Sequence, residues 1–331
     1  MDADPIPFAT EHPISAEEAV GLLRLEGADA YELLVRAGRV RARRSGQRVA
    51  LCAIVNAKSG GCSEDCAFCS QSRSATSDIE RYGMISPDRI EQEARAARQG
   101  GASAFSIVTA GKGLRTRADI EAVKEGLARI RALGMVPCAS LGILETDLLR
   151  ELVQAGLGRY HHNLETARSY FPQICTTHDY AEDVATVRRA RDLGIQVCSG
   201  GILGMGESLA QRVELAATLA ELGVHSVALN FLNPVAGTRI HTRLAGRANL
   251  TPLDCLKAVA VFRLLLPNTE ITICGGREVN LRELQPLLLV AGANRLMSGA
   301  YLTTRGRTFD TDRHMIQDLG FELVDDGALQ G

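Results

Sequence analysis

Arg131-Ala132-Leu133-Gly134-Met135-Val136-Pro137-Cys138 carries the junction that decides the fold: a helix runs into glycine and is followed at once by an apolar strand. The same junction recurs at Arg191-Asp192-Leu193-Gly194-Ile195-Gln196-Val197-Cys198 and at Ala220-Glu221-Leu222-Gly223-Val224-His225-Ser226-Val227. Glycine just past a helix end takes the left-handed conformation that closes the last turn. Helix starts are equally legible, because Ser86-Pro87 and Thr251-Pro252 each pair an N-cap hydroxyl with proline at the first helical position. Working outward, strands are expected near residues 49–56, 104–109, 135–141, 159–164, 195–199, 225–231, 270–275 and 293–298. Helices fill the intervals, and a helical segment over about 15–42 precedes the first strand. Eight such βα units predict a parallel sheet closed into a (β/α)8 barrel of the TIM type. The alternative, a doubly wound open sheet, lacks the G-x-G-x-x-G that would follow its first strand. The expected organisation is an N-terminal helical extension over 1–45, the barrel over 46–322 and a tail over 323–331.

The chain has 331 residues, of which 46% are hydrophobic, enough for a sizeable core. Aromatic residues make up only 4% and tryptophan is absent, so that core must be aliphatic. A net charge of −2 with both signs interspersed gives no nucleic-acid footprint. Met1–Pro13 is acidic and proline-bearing, without the apolar stretch of an export signal. Apolar runs such as Leu287–Ala291 are far too short to cross a bilayer. Nine cysteines, an odd number, then read as thiols kept for metal in a reducing cytoplasm.

Three of those cysteines fall in Gly60-Gly61-Cys62-Ser63-Glu64-Asp65-Cys66-Ala67-Phe68-Cys69. The spacing C-x3-C-x2-C is one thiolate short of a closed tetrahedral site. Three thiolates on a 4Fe–4S cluster leave one iron open, and that is the arrangement radical S-adenosylmethionine enzymes use to bind their cofactor. Half of a structural zinc site is the alternative, but no second C-x2-C pair or H-x3-H lies nearby. The triad follows the first strand, so it sits at the C-terminal mouth of the barrel, where such folds carry their active sites. No cysteine adjacent in sequence could replace a lost ligand.

Period-two alternation places a second set of cysteines inside the barrel. Cys138 shares a face with Val136, Cys198 with Gln196, and Cys274 with Thr272, while Val197, Ile271 and Ile273 face the helices. Each alone could be a small buried hydrophobe; three on inner faces of odd-numbered strands point to a second cluster. Cys52, Cys175 and Cys255 read as bland, Cys255 as core beside Val259 and Phe262. His161 and His162 point to opposite faces of a strand and so cannot ligate one metal; satisfied structural histidines are the simpler reading. Asn163 and Glu165 share a face with His161, and Asn230 is another inward polar group. Gly200-Gly201-Ile202-Leu203-Gly204-Met205-Gly206-Glu207 reads as a strand-to-helix loop whose backbone can approach a ligand, or as a plain turn.

Taken together these segments resemble the biotin synthase family of the radical S-adenosylmethionine superfamily. The resemblance is carried by Asn56–Ser72, His162-Asn163-Leu164-Glu165-Thr166, Cys198-Ser199-Gly200-Gly201-Ile202, Gly275–Arg282 and Tyr301-Leu302-Thr303-Thr304. It implies a sulfurtransferase of biotin biosynthesis that inserts sulfur into dethiobiotin and works as a homodimer. An electron donor such as flavodoxin or ferredoxin and the iron–sulfur assembly machinery are its implied partners. By the same resemblance Cys62, Cys66 and Cys69 hold the cluster that binds S-adenosylmethionine. Phe68 lies by the adenine, Glu165 binds the ribose, and Gly200, Ile202 and Gly204 line the cofactor. Asn163 and Asn230 hold the substrate ring, and Thr303 and Thr304 receive its carboxylate tail.

The chain departs from that pattern at the sulfur-donating auxiliary cluster. Commoner members of the family hold a 2Fe–2S cluster with three cysteines and an arginine. Ser106 stands here for the second-strand cysteine and Thr272 for the arginine, while Cys274 is new. His161 replaces an asparagine, and Asp183 an arginine associated with the cofactor carboxylate. The expected auxiliary ligands are Cys138, Cys198 and Cys274 around a four-iron cluster, with 2Fe–2S completed by Ser106 as the alternative. Two other functions remain open at this point. One is a related barrel enzyme without sulfur insertion, of the hydrogenase-maturase or methylornithine synthase type. The other is a non-catalytic iron–sulfur carrier, which would need neither a glycine-rich cofactor segment nor a polar interior.

Overall fold

Eight parallel strands close on themselves in the computed structural model, which describes residues 14–246 and 250–330. They are β1 (Arg48–Lys58), β2 (Ala102–Thr109), β3 (Val136–Ser140), β4 (Arg159–His161), β5 (Gln196–Leu203), β6 (Ser226–Phe231), β7 (Glu270–Ile273) and β8 (Arg295–Met297). Each pairs with the next, and β1 pairs with both β2 and β8, which closes the ring. All eight expected strands are present. A ninth, β9 (Glu322–Leu323), adds to the start of β1 outside the ring; two residues carry too little periodicity to be read from sequence.

The junctions form as the sequence dictates. Gly134 and Gly194, at φ +72° and +74°, end the helices Arg117–Ala132 and Tyr180–Asp192 and release the chain into β3 and β5. Ser86 and Thr251 accept hydrogen bonds from the backbone N–H groups of Arg89 and Asp254, each with proline at the helix start. The core is a shell between strands and helices: Val197, Val227, Ile271 and Ile273 are fully buried on the outer strand faces. Each such side chain contributes about 1.5–3 kcal/mol by leaving water. Helices Ala16–Leu23 and Gly27–Ser45 pack on the outer helix Pro252–Leu265, as the expected extension should; its first 13 residues lie outside the described residues.

Two segments differ from expectation. Gly200–Leu203 belong to β5 and not to a loop, because the two glycines admit close backbone neighbours. A Cβ at Gly200 would stand 1.9 Å from the Ala228 carbonyl oxygen, and one at Gly201 2.4 Å from that of Glu165. β4 in turn stops at His161, after which Leu164 and Glu165 both donate to the Gly200 carbonyl and Glu165 turns to φ +63°. The C-terminal segment is no loose tail, since Asp326–Gln330 forms a short 3-10 turn that contacts β1 and Asp326 bonds to Arg159 and Arg295.

One buried ion pair ties β7's following segment to the last helix. Arg277 and Asp312 are both fully buried and joined by two hydrogen bonds, with Gln285 Oε1 accepting from Arg277 Nη1 at 3.1 Å. Removing one charge strands the other in the core, at a cost of about 3–5 kcal/mol. Asp312→Asn should therefore lower the denaturant midpoint of the cluster-free chain sharply, while an exposed pair such as Arg313–Asp310 should tolerate the same change.

Candidate active site

The C-terminal ends of the strands open into a cavity of about 450 Å³ that reaches down into the barrel. The loop after β1 crosses its mouth and is pinned on several sides. Gln71 Oε1 accepts from Gly60 N at 3.0 Å, and Asn56 Nδ2 donates to the Leu302 carbonyl at 3.0 Å. Asp65 accepts from Thr176 N at 2.9 Å and from its hydroxyl at 2.7 Å. Gly60 and Gly61 take positive φ, a tight turn that brings Cys62 over the cavity.

Cys62, Cys66 and Cys69 all line that cavity, as the spacing predicts. Burial raises the thiols of Cys62 and Cys69, the latter to about 11. Against that, Glu64 N donates to Cys62 Sγ at 3.4 Å, and the Gln71 and Ser72 amides favour the Cys69 thiolate. Three soft donors on one loop, supported by amides but too buried to ionise without a nearby cation, suit an iron–sulfur cluster.

A fourth thiol does stand close, and sequence reasoning missed it. Cys175 Sγ lies 3.9 Å from Cys66 Sγ. The Cys66 thiol donating to it, then His178, hold Cys175 well below the ordinary thiol range. His178 Nδ1 is 2.7 Å from Glu64 Oε2 and 3.3 Å from Cys175 Sγ, and its Nε2 is 3.4 Å from Asp183 Oδ2. Burial opposes its charge, but Asp183, Cys175 and Glu64 together raise His178 to about 11. The signal available in sequence was the spacing Cys175-Thr176-Thr177-His178.

Deeper in the cavity Cys138, Cys198 and Cys274 converge as expected, and Cys52 of β1, which read as bland, joins them. Cys198 and Cys274 pack together with Ala228 and Met297. Burial pushes Cys52 and Cys138 to about 12. Cys255 is buried core, in agreement with its reading. Thr272 is engaged by the Ser226 hydroxyl at 3.0 Å, while Ser106, beside Cys138 in the β2–β3 register, keeps a buried hydroxyl without a partner.

Both histidines line the cavity, because β4 ends at His161 and the strand alternation stops there. His162 Nε2 is 2.8 Å from Asp183 Oδ1, a satisfied buried histidine, and His161 lines the cavity where burial lowers its pKa. Glu165 also lines it, and burial, reinforced by the charge of Asp183, raises its carboxyl to about 7. Asn163 Nδ2 donates to Glu165 Oε2 at 3.3 Å and leaves its own Oδ1 unpartnered. Asn230 Oδ1 accepts from Gly275 N at 2.9 Å. Thr303 and Thr304 stand at the mouth, Thr303 Oγ1 being 2.9 Å from Ser70 Oγ. Phe68, Ile202 and Asn230 line the cavity as well; Gly200 and Gly204 do not. Gly204 N instead donates to Glu207, which is paired with Arg212 at 2.8 Å.

The sequence of this barrel matches two known families. Residues 57–219 match the radical SAM superfamily, and residues 228–322 the biotin and thiamin synthesis associated domain. The biotin synthase of Pelobacter propionicus is 48% identical over 93% of both chains. That of Trichlorobacter lovleyi is 49% identical over 94% of this chain and 92% of its own, and that of Heliobacterium modesticaldum 47% over 94% of each. The chain belongs to the biotin synthase family. Among solved structures, methylornithine synthase superposes with a TM-score of 0.82 at 19% identity, covering 96% of each chain. The FeFe-hydrogenase maturase of Carboxydothermus hydrogenoformans gives 0.82 at 18% identity over 96% of this chain and 78% of its own. At such identities these two show the barrel alone. Asp183 is held between His162 and His178. Among the described residues no helix is long and apolar enough to cross a membrane.

Proposed function

We propose that this chain is a radical S-adenosylmethionine sulfurtransferase that converts dethiobiotin to biotin, with the sulfur supplied by an auxiliary cluster inside the barrel. The observation that carries this reading is the pair of thiol sets across one cavity, Cys62, Cys66 and Cys69 at the mouth and Cys138, Cys198 and Cys274 below. When bound, the mouth cluster and its cofactor supply the radical that abstracts hydrogen from an unactivated carbon. The chain's own residues do the rest. The polar and apolar walls between the two thiol sets hold the substrate where both can reach it and keep bulk water away from the radical. The reaction consumes an electron, so a low-potential donor such as flavodoxin or ferredoxin is needed. A reducing cytoplasm, a homodimer and the iron–sulfur assembly machinery complete the setting. Anaerobic incubation with dethiobiotin, S-adenosylmethionine and reductant tests it: biotin should form as cluster sulfide is lost. Cofactor cleavage without biotin would favour a related barrel enzyme that inserts no sulfur.

Three inner thiolates leave one iron of a four-iron cluster open to an extra sulfide, which could be given up without dismantling the whole. A 2Fe–2S cluster completed by the unpartnered Ser106 hydroxyl is the competing arrangement. Cys52 is the thiol that would displace the extra sulfide if it bound the fourth iron.

Asn163 and Asn230 are proposed to bond the polar ring of dethiobiotin. A polar group left unmatched costs about 1–3 kcal/mol, roughly 5- to 150-fold in affinity. Asn163→Ala and Asn230→Ala should weaken substrate binding by that factor with the mouth cluster intact, as equilibrium titration would read. Glu165 is proposed to accept from the ribose hydroxyls of the cofactor, which favours its ionised form. Since burial raises this carboxyl from 4.5 to about 7, cofactor affinity should fall as pH drops from about 8 to 6, and Glu165→Gln should bind weakly with a flat profile. The same shift has the opposite sense for folding: a raised carboxyl stabilises most below its unfolded value and loses that contribution as pH rises through about 7.

A further inference from the structure

Two buried arginines underlie the inner cysteines. Arg159 of β4 and Arg295 of β8 are 5% and 1% exposed, and both line the cavity. In the strand register Arg159 stands beside Cys138, and Arg295 beside Thr272. Their outer nitrogens are engaged from behind. Arg159 Nη2 donates to Asp326 Oδ2 at 2.8 Å and to Gln196 Oε1 at 3.0 Å. Arg295 donates to Asp326 and, at 2.8 Å, to Glu270 Oε2. The Nε of each arginine is buried without a partner, as is the hydroxyl of Ser106 beside Cys138. A buried donor left unpaired costs about 1–3 kcal/mol, and more on a charged group, so three on strands β2, β4 and β8 around one cavity call for an anionic acceptor there.

The charges are also layered. Two guanidinium groups and two carboxylates sum to zero, yet they do not reach the thiols equally. Arg159 and Arg295 line the cavity together with the thiols, and Arg159 neighbours Cys138 in the strand register. Asp326 and Glu270 do not line it; they bond the outer nitrogens of the arginines. The arginines therefore face the thiols, and the carboxylates sit behind them. Asp326 comes from the C-terminal turn, which gives that segment a part in the site.

We propose that Arg159, Arg295 and Ser106 form a cradle for inorganic sulfide on the auxiliary cluster, donating their free N–H and O–H groups to it, with Asp326 setting how much of the arginine charge reaches it. This rests on the auxiliary cluster of the proposed function. The arginines are positioning residues: they orient the sulfide and stabilise the more negative, reduced form of the cluster. Ser106, in this arrangement, is a donor to sulfide and not a ligand to iron.

The test uses the Cys62→Ala/Cys66→Ala/Cys69→Ala chain, in which the inner cluster is the one observed, titrated with dithionite and read by its absorbance and paramagnetic resonance. Arg159→Gln and Arg295→Gln should each shift the reduction equilibrium about tenfold against the reduced form, about 59 mV more negative for a one-electron couple. Asp326→Asn should shift it the other way, because it unmasks both arginines. Arg159→Lys keeps the charge and should stay near the parent potential. A floor with a merely structural role would not reverse sign between these variants. Unchanged potentials, shifts of one sign, or loss of the cluster from Arg159→Gln and Arg159→Lys alike would overturn the cradle. Absence of any inner cluster in the parent chain would overturn the auxiliary-cluster assignment along with it.

Discussion

Cys62→Ala and Cys69→Ala should reduce 5′-deoxyadenosine formation to background. Each leaves an iron without its thiolate, and among the described residues no other cysteine thiol is hydrogen-bonded to the thiol of either. Cys66 is different, because Cys175 Sγ stands 3.9 Å away. Cys66→Ala should therefore lose activity to the same floor only when combined with Cys175→Ala; alone it should keep a trace. Anaerobic product analysis, with iron determined on each variant, checks this. Normal product from Cys62→Ala or Cys69→Ala would remove that residue from the cluster. The sequence expectation that no neighbour could stand in holds along the chain but not in space, since residues 66 and 175 meet through the loop that follows β4.

Cys274→Ala should give the second large effect, and a selective one. Biotin formation should fall to background while the cofactor is still cleaved, because the mouth thiols lie on another loop. Cys138→Ala and Cys198→Ala should behave alike. Cys52→Ala separates the two ways of completing the inner cluster. If the fourth iron carries a sulfide, this variant keeps a four-iron Mössbauer signal and makes biotin; if Cys52 is the fourth ligand, both are lost. An inner cluster unchanged in Cys274→Ala, or a 2Fe–2S signal alone in the mouth-triad variant, would contradict the four-iron arrangement.

What could be read from sequence followed from short-range rules. Helix caps at Ser86 and Thr251, the glycine ends at 134 and 194, and the apolar strands between them depend on neighbours a few residues away. They located all eight strands, and period two then placed Cys138, Cys198 and Cys274 inward. Readings failed where a residue's role depends on a distant segment. Gly200 and Gly201 resembled a loop because nothing local shows that Ala228 and Glu165 press against them. Cys52 obeys the same alternation as the inner cysteines but sits in an apolar run that reads as core on both faces. Arg159 and Arg295 gave no signal, since their partner Asp326 is separated from Arg159 by 167 residues and comes from a segment read as a tail.

If the inner thiols hold the sulfur that enters the product, that sulfur is traceable from cluster to biotin. Clusters reconstituted with sulfide enriched in sulfur-34, followed by one anaerobic turnover with unlabelled dethiobiotin and S-adenosylmethionine and mass analysis of the biotin, test it most directly. Biotin carrying the heavy isotope is expected from wild-type protein, and no labelled biotin from Cys274→Ala. Unlabelled biotin from the labelled protein, or labelled biotin from Cys274→Ala, would contradict it.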